Sequence, residues 1–204
     1  WSRFCSNDTA VVYLRDGELV CRAMATPQRL KGTEPKDFIS GGIKSEGKFS
    51  FQYGRAEARL FTKPHSGNFP ALWMMPQDGS AGWPKAGEID IWEQINTENV
   101  SYHTLHSHWT YTLKHKQDPT SAVQGHNIDY SCYHTFAVEW TPTLISWYVD
   151  GEFVGSAPKS TDSDALANGQ WPYTKPFYLI LNQSVGDGSW AASPDANFVY
   201  ETRF

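Results

Sequence analysis

The sequence predicts an all-β protein: a β-sandwich jelly roll of two antiparallel sheets. Many short segments alternate apolar with polar residues and are separated by turns, while helical periodicity is almost absent. The 204 residues include 9 Trp, 10 Tyr and 11 Phe, enough to fill a core and to leave aromatic rings for a groove. No internal repeat or linker divides the chain, so residues 1–204 are predicted to form a single domain.

The strands follow from this alternation. An Asp16-Gly17 turn joins 10–14 to 18–23 as a β-hairpin. Loops are predicted at 77–85 and 109–130, and a short helix at 162–167. Further strands are predicted at Phe38–Ser40, 48–53, Gly54–Thr62, 68–75, Glu88–Glu93, 100–108, His134–Trp140, Leu144–Val149, 152–156, 177–184 and 198–204.

Composition excludes several classes of function. A formal net charge of −5 and the lack of a basic run exclude a nucleic-acid partner. No apolar stretch approaches 18 residues, so no membrane-spanning helix is predicted. Three scattered cysteines, Cys5, Cys21 and Cys132, are too few for a disulfide framework or a zinc cluster, and no histidine has metal-binding spacing.

The most informative segment is Glu88-Ile-Asp-Ile-Trp-Glu93. In a regular strand Glu88 and Asp90 share one face, whereas Glu93 points to the other. A β-bulge around Ile91 and Trp92 would return Glu93 to the side of Glu88. Two glutamates on one side of a groove are the arrangement that cleaves a glycosidic bond, although acids on the wet face of an amphipathic strand have the same spacing.

Residues 86–93, with Asn68–Pro76 before them and 102–106 after them, resemble glycoside hydrolase family 16. The similarity is greatest to its laminarinase and mixed-linkage β-glucanase branch, and it extends from about residue 10 to the end of the chain. It implies an open concave cleft and endo-acting, retaining hydrolysis of β-1,3-glucan or mixed β-1,3/1,4-glucan. Supporting matches lie at 53–59, 136–140, 147–151 and 179–186.

The resemblance also implies the catalytic roles. Glu88 is then the nucleophile and Glu93 the general acid/base, with Asp90 between them and His106 approaching Asp90 from the next strand. The negative charges of Glu88 and Asp90 are expected to raise the pKa of Glu93, which must hold a proton near neutral pH.

Eight further residues are predicted to contact the sugar. The indoles of Trp73, Trp83, Trp92 and Trp109 would stack on sugar rings, although Trp92 lies in the expected bulge and could equally face the core. Asn68, Glu57, Arg59 and Gln183 would form hydrogen bonds, with a surface ion pair as the alternative for Glu57 and Arg59. Trp190 is a weaker candidate for covering the groove, Trp140 and Trp147 are expected in the core, and His103, His108 and His115 are expected at the surface or in loops.

Members of the family usually begin and end with further strands that help to hold a structural calcium. Those segments are missing from this sequence, so we expect a trimmed or rearranged chain on which the calcium site cannot be placed. No cofactor is required for the reaction. The resemblance further implies a monomer that is secreted, periplasmic or attached to the cell surface.

Two other functions compete with β-glucan hydrolysis. A non-catalytic glycan-binding module could use the same scaffold, but it would have no use for two crowded carboxylates. A hydrolase of agar, carrageenan or porphyran would favour a basic groove for sulfated substrates, which the sequence does not supply beyond Arg59. The choice between β-1,3 and mixed-linkage glucan stays open because loop shape decides it.

Overall fold

A computed structural model describes residues 7–204, and within that range fourteen strands form two antiparallel sheets. The all-β prediction is therefore confirmed; Cys5 lies outside the described residues. The strands are β1 Val12–Arg15, β2 Glu18–Ala25, β3 Phe38–Ser40, β4 Gly42–Lys44, β5 Gly54–Thr62, β6 Asn68–Pro76, β7 Glu88–Glu93, β8 Val100–His106, β9 Ala122–His126, β10 His134–Trp140, β11 Leu144–Val149, β12 Glu152–Pro158, β13 Phe177–Val185 and β14 Tyr200–Arg203.

The two sheets divide the chain unevenly. The eight-stranded sheet has the order β1-β2-β14-β5-β10-β11-β12, with β3 also paired to β2. The six-stranded sheet has the order β4-β13-β6-β7-β8-β9, which places the acidic strand β7 between β6 and β8. Strand β7 is thus held by ladders on both of its sides, and a rigid scaffold of this kind fixes the direction of its side chains.

The core lies between the sheets and is rich in aromatic rings. Trp140 and Trp147 are almost fully buried there with Phe136 and Phe177, as predicted for the two tryptophans. The Trp140 ring packs edge-on against Phe177 at a centroid distance of 5.3 Å. Such edge-to-face pairs add about 1 kcal/mol each beyond the burial of their area.

Some local predictions are confirmed and two are wrong. The hairpin of β1 and β2 is observed, and helix α1 (Ser163–Ala167) begins after the cap residue Asp162. Residues 48–53 do not form a strand, because turns interrupt the segment and only Phe51 forms a bridge, to Phe177. The predicted loop 109–130 contains most of a one-turn π-helix (His108–Thr112) and strand β9, which pairs with β8.

Short 3₁₀ geometry occurs at Gln28–Leu30. No helix in the described range is long and apolar enough to cross a bilayer.

Candidate active site

A β-bulge in β7 shapes the site. Asp90 pairs with Thr104 and Glu93 with Tyr102, so three steps along β7 match two steps along β8. The register against β6 shifts at the same place. This extra residue confirms the predicted bulge, and it brings Glu93 to the cleft side of the sheet together with Glu88 and Asp90.

Glu88 and Asp90 are buried at the floor of the cleft, with 5% and 2% of their surfaces exposed. Glu88 Oε2 accepts a hydrogen bond of 2.9 Å from the indole N–H of Trp83. His106 lies opposite Glu88 in the β7–β8 ladder, and its Nε2 is 3.2 Å from Asp90 Oδ2 and 3.6 Å from Glu88 Oε1. The imidazole therefore contacts both carboxyls, as the resemblance implied for Asp90.

All three carboxyls have raised pKa values. Burial, followed by the charge of Asp90, raises the pKa of Glu88 to about 8, although His106 and Trp83 oppose the shift. Burial also raises the pKa of Asp90 to about 8, against the effect of its hydrogen bond with Glu88. These shifts mean that the cluster holds protons near neutral pH.

Glu93 is the carboxyl best suited to keep a proton. Burial raises its pKa well above the usual value, and the charges of Asp90 and Glu88 raise it further. Within residues 7–204 the Glu93 carboxyl receives no hydrogen bond, whereas Glu88 receives one from Trp83. A donor favours the ionised form, so the geometry assigns the negative charge to Glu88 before Glu93.

The cleft extends to both sides of these carboxyls. One half is a cavity of about 460 Å³ and the other a cavity of about 530 Å³. Glu88, Glu93 and Phe69 line both halves, so the carboxyls stand at the junction. Trp83, Tyr102, Tyr111, Lys116 and Trp190 line the first half, and Ser40, Lys48, Trp73 and Asn182 the second.

Two of the four predicted stacking residues lie in the cleft. Trp83 is 43% exposed and packs edge-on against Tyr111 at 4.4 Å. Trp73 pairs with Asp90 in the β6–β7 register, and its indole N–H donates to Asn182 Oδ1 at 2.7 Å. Both rings stand beside the carboxyls, where a sugar ring could contact them.

The prediction for Trp92 is wrong, and Trp109 is not among the residues that line either half of the cleft. Trp92 is fully buried and donates to the hydroxyl of Tyr130, because the bulge turns its side chain toward the core. Trp109 stacks on His115 at 3.9 Å and donates to the carbonyl of Asp118. Its neighbour Tyr111 is the π-helix residue that lines the cleft.

The predictions for Asn68 and Gln183 are also wrong, because both side chains are fully buried. Gln183 Nε2 donates to Asn68 Oδ1 at 2.9 Å, and Asn68 Nδ2 donates to Gln94 Oε1 at 2.5 Å. Thr202 of β14 donates to Gln183 Oε1 at 2.7 Å. These amides satisfy one another between the sheets and cannot reach a sugar.

Glu57 and Arg59 lie on the wrong side of the molecule for substrate contact. They project from the outer face of β5, in the eight-stranded sheet, while Ala56 and Ala58 pack on the core. Glu57 bonds to Arg55, and the Arg59 guanidinium lies 4.4 Å from the ring centroid of Tyr133. Glu57 therefore forms a surface ion pair, as the alternative prediction had it, but its partner is Arg55 and not Arg59.

Sequence reasoning missed several cleft residues. Tyr102 shares the outward face of β8 with His106, so the period of two could have found it. Trp190 is 46% exposed and packs edge-on against Phe69 and Tyr102, which places this weaker candidate in the cleft. Tyr111 lies in the π-helix and Lys116 in the segment after it, and both line the cleft. No local sequence pattern predicts these two positions.

His103 is a further correction: it is not at the surface but fully buried. Its Nδ1 lies 2.6 Å from the carbonyl oxygen of Ile91, and its Nε2 lies 2.9 Å from Ser101 Oγ. Burial lowers the pKa of His103 to about 4.

One group of potential metal ligands occurs among the described residues: Glu88, Asp90 and His106. Calcium takes six to eight oxygen ligands, so a set of two carboxylates and an imidazole does not fit the structural calcium of the family. The cluster lies in the cleft itself.

A β-sandwich whose open cleft presents two glutamates across a bulge, with aromatic rings on either side, defines a glycoside hydrolase. The sequence supports that class independently. The chain belongs to Glycosyl hydrolases family 16, whose match covers residues 7–201.

Known relatives agree with this assignment. The chain is 31% identical over 202 residues to a keratan-sulfate endo-1,4-beta-galactosidase of Sphingobacterium multivorum, covering 98% of this chain and 46% of that protein. It is 35% identical to a beta-glucanase of Rhodothermus marinus, covering 77% of this chain and 56% of that protein. The chain thus spans about half the length of these relatives.

Solved structures show the same fold. The laminarinase from Rhodothermus marinus superimposes with a TM-score of 0.80 at 27% identity, covering 98% of this chain and 80% of that one. The prediction of a jelly-roll sandwich from this family is confirmed.

Proposed function

We propose that this chain is an endo-acting, retaining β-glucan hydrolase that cleaves β-1,3-glucan, mixed-linkage β-1,3/1,4-glucan, or both. The observation that carries the proposal is the position of Glu88 and Glu93 at the junction of the two halves of the cleft. A bound polysaccharide would there have sugar units on both sides of the carboxyls, which is what cleavage within a chain requires.

The reaction is a double displacement. Glu93 donates its proton to the glycosidic oxygen while Glu88 attacks the anomeric carbon, so the bond to the leaving sugar breaks and a glycosyl ester forms on Glu88. Glu93, now ionised, removes a proton from a water molecule that attacks the same carbon and releases Glu88. Two inversions retain the configuration, and they require carboxyls about 5–5.5 Å apart.

The surrounding residues prepare Glu88 for attack. The N–H of Trp83 stabilises its carboxylate, and His106 contacts it from the opposite strand. Asp90 holds its own position by contact with His106, and it raises the pKa of Glu93 through its charge. The same pKa shift keeps Glu93 protonated while Glu88, whose pKa is about 8, ionises, so nucleophile and acid are both in the required form as the pH approaches 8.

Aromatic rings supply the binding surface. Trp83, Tyr111 and Trp190 stand in one half of the cleft and Trp73 in the other. Sugar rings present flat apolar faces that such side chains can cover. The substrate would therefore be held by stacking on both sides of the scissile bond.

A second candidate is a hydrolase of anionic β-galactans. The Sphingobacterium relative, which aligns along 98% of this chain, is named for keratan sulfate. The cleft also holds three exposed lysines, whereas sequence reasoning found no basic residue beyond Arg59. Lys44, which pairs with Glu46, and Lys48 lie in one half and Lys116 in the other. Their charges would suit a sulfated chain.

One experiment separates the two candidates. The wild-type protein is incubated with laminarin, mixed-linkage glucan, keratan sulfate and agarose, and new reducing ends and oligosaccharide products are measured. Oligosaccharides of intermediate length from a glucan support the main proposal, while cleavage of keratan sulfate alone supports the second. Absence of cleavage on every polymer would contradict both and favour a glycan-binding module.

We further propose that the catalytic domain comprises residues 1–204, acts as a monomer outside the cell membrane, and needs no cofactor. The two carboxyls perform both proton transfer and nucleophilic attack. A polysaccharide substrate is too large to reach an enzyme inside the cell before it has been cut.

A further inference from the structure

We propose that His103 is a positioning residue that holds the β-bulge of β7 and thereby places Glu93 beside Glu88. The inference rests on the proposed function for the roles of the two glutamates. The contact between His103 and the bulge is observed in the structure and does not depend on that function.

His103 occupies the one position of β8 that faces the bulge. Asp90 pairs with Thr104 and Glu93 pairs with Tyr102, so His103 lies between these two partners, opposite the extra residue. A bulge disrupts the regular ladder and leaves backbone groups of the extra residue in need of partners. The imidazole supplies one, because its Nδ1 lies 2.6 Å from the carbonyl oxygen of Ile91.

The hydrogen-bond partners define the tautomer of His103. A carbonyl can only accept, so Nδ1 must carry the proton that it donates to Ile91. The burial of the ring keeps it neutral, and Nε2 is then an acceptor for the Ser101 hydroxyl at 2.9 Å. Ser101 and His103 are both fully buried, so two hydrogen bonds in series connect the Ser101 hydroxyl of β8 to the bulge.

Packing alone does not explain a histidine here. Ser101, His103 and Leu105 are the inward residues of β8, and an apolar side chain at position 103 would cost no desolvation. The imidazole is therefore favoured by the carbonyl that it satisfies. A second buried donor acts nearby, since the indole N–H of Trp147 lies 2.9 Å from the carbonyl oxygen of Asp90. Two consecutive carbonyls of the bulge are thus held by side chains.

Loss of the His103 donor would leave the Ile91 carbonyl buried without this partner. The strand can relieve that cost by shifting its pairing, which turns the side chains beyond the bulge toward the other face. Glu93 follows the bulge and Glu88 precedes it, so Glu93 would be displaced relative to Glu88. A displacement of about 1 Å between catalytic groups can lower the rate about 100-fold.

The test compares His103→Leu with His103→Asn, in which the amide N–H can replace Nδ1–H. Each variant is checked for folding by circular dichroism and assayed well below its unfolding temperature. On the polysaccharide that the wild type cleaves, we expect kcat to fall about 100-fold for His103→Leu with KM little changed, and a much smaller loss for His103→Asn.

A substrate with an activated leaving group separates the contribution of the acid Glu93 from that of the nucleophile Glu88. Dinitrophenolate departs without a proton, so kcat/KM for a 2,4-dinitrophenyl glycoside of the same sugar depends on Glu88 much more than on Glu93. We expect the loss for His103→Leu to be at least tenfold smaller on this substrate than on the polysaccharide. Equal losses on both substrates would mean a general structural role and would overturn the proposal.

The tautomer can be read without any activity. Long-range ¹H–¹⁵N NMR of the wild-type protein at pH 7 should show His103 neutral and protonated at Nδ1, and Ser101→Ala should increase the population of the other tautomer. An Nε2–H tautomer or a doubly protonated ring in the wild type would overturn the proposal. If the wild type cleaves no glycan but shows the Nδ1–H tautomer, the proposed function fails while the contact with the bulge stands.

Discussion

The indole N–H of Trp83 donates to Glu88 Oε2 across 2.9 Å, so a residue of the loop before β7 holds the carboxylate that β7 presents. The same indole packs against Tyr111 of the π-helix, so the loop before β7 and the π-helix meet beside the Glu88 carboxyl. A single aromatic side chain therefore joins the wall of the cleft to its floor.

Replacing Trp83 with Phe keeps a ring in the wall but removes the donor. Without the N–H the ionised form of Glu88 loses a stabilising partner, so its pKa should rise further. We expect kcat to fall about tenfold and the acidic limb of the pH profile of kcat/KM to move to higher pH. Steady-state kinetics from pH 4 to 9 measure both effects.

The matched control is Trp109→Phe, in the same region but stacked on His115 outside the cleft. Its pH profile should match that of the wild type. If the two variants shift the profile equally, the Trp83–Glu88 bond does not control the ionisation of the nucleophile.

Glu88→Gln and Glu93→Gln should fold normally and lose glycan cleavage by about 10³-fold or more. Glu57→Gln, on the outer face of the opposite sheet, should retain activity and serves as the control. Near-wild-type turnover in either cleft variant would contradict the assignment of the two acids.

Azide distinguishes the two roles. In Glu88→Ala a small anion can enter the space of the nucleophile and attack the anomeric carbon directly, giving an α-glycosyl azide from an activated β-glycoside. In Glu93→Ala the glycosyl ester on Glu88 still forms with the activated substrate, and azide then releases a β-glycosyl azide. The anomeric configuration is read by ¹H NMR, and the reverse pattern would exchange the assignments.

The raised pKa of Glu88 predicts that stability falls with alkaline pH. The folded protein keeps a proton on Glu88 up to about pH 8, whereas the unfolded chain releases it near 4.5. The contribution of this group is therefore complete below 4.5 and is lost as the pH rises through 8. Glu88→Gln removes this loss, because the amide does not ionise.

We expect the free energy of unfolding of Glu88→Gln, relative to the wild type, to increase by about 2–4 kcal/mol between pH 5 and pH 9. Urea denaturation across this range measures it, with the exposed Glu152→Gln as the control. Parallel stability curves for Glu88→Gln and the wild type would show that Glu88 is not desolvated as described.

Asn68→Ala tests whether the buried amide network is structural. The substitution leaves Gln94 Oε1 and Gln183 Nε2 each without one buried partner. We expect the free energy of unfolding to fall by about 2–3 kcal/mol, with KM for the polysaccharide unchanged. A raised KM with unchanged stability would instead return Asn68 to the substrate site.

The β-bulge of β7 is a feature that the local sequence pattern alone predicted correctly. Glu88 and Glu93 are five residues apart, and parity alone required an extra residue if both were to face one side. The structure places that residue where the pattern did. Parity works here because the side-chain alternation of a strand is a property of its own backbone and needs no knowledge of its neighbours.

The errors have a different origin. Glu57 and Arg59 were correctly placed on the polar face of β5, but that face belongs to the sheet away from the cleft. Asn68 and Gln183 are polar residues that face inward because they bond to each other across β6 and β13. Which sheet a strand joins, and which buried polar groups meet, depends on contacts between segments that are distant in the chain.

The sequence by itself determined the all-β class, the family, the bulged acidic strand and its two glutamates, since each is written in short-range alternation or in a contiguous motif. Only the tertiary structure decided which aromatic rings reach the cleft, which amides are buried, and that His103 meets the Ile91 carbonyl. Those outcomes depend on the pairing of strands and on the burial of polar groups, which are set by the whole sandwich rather than by any one segment.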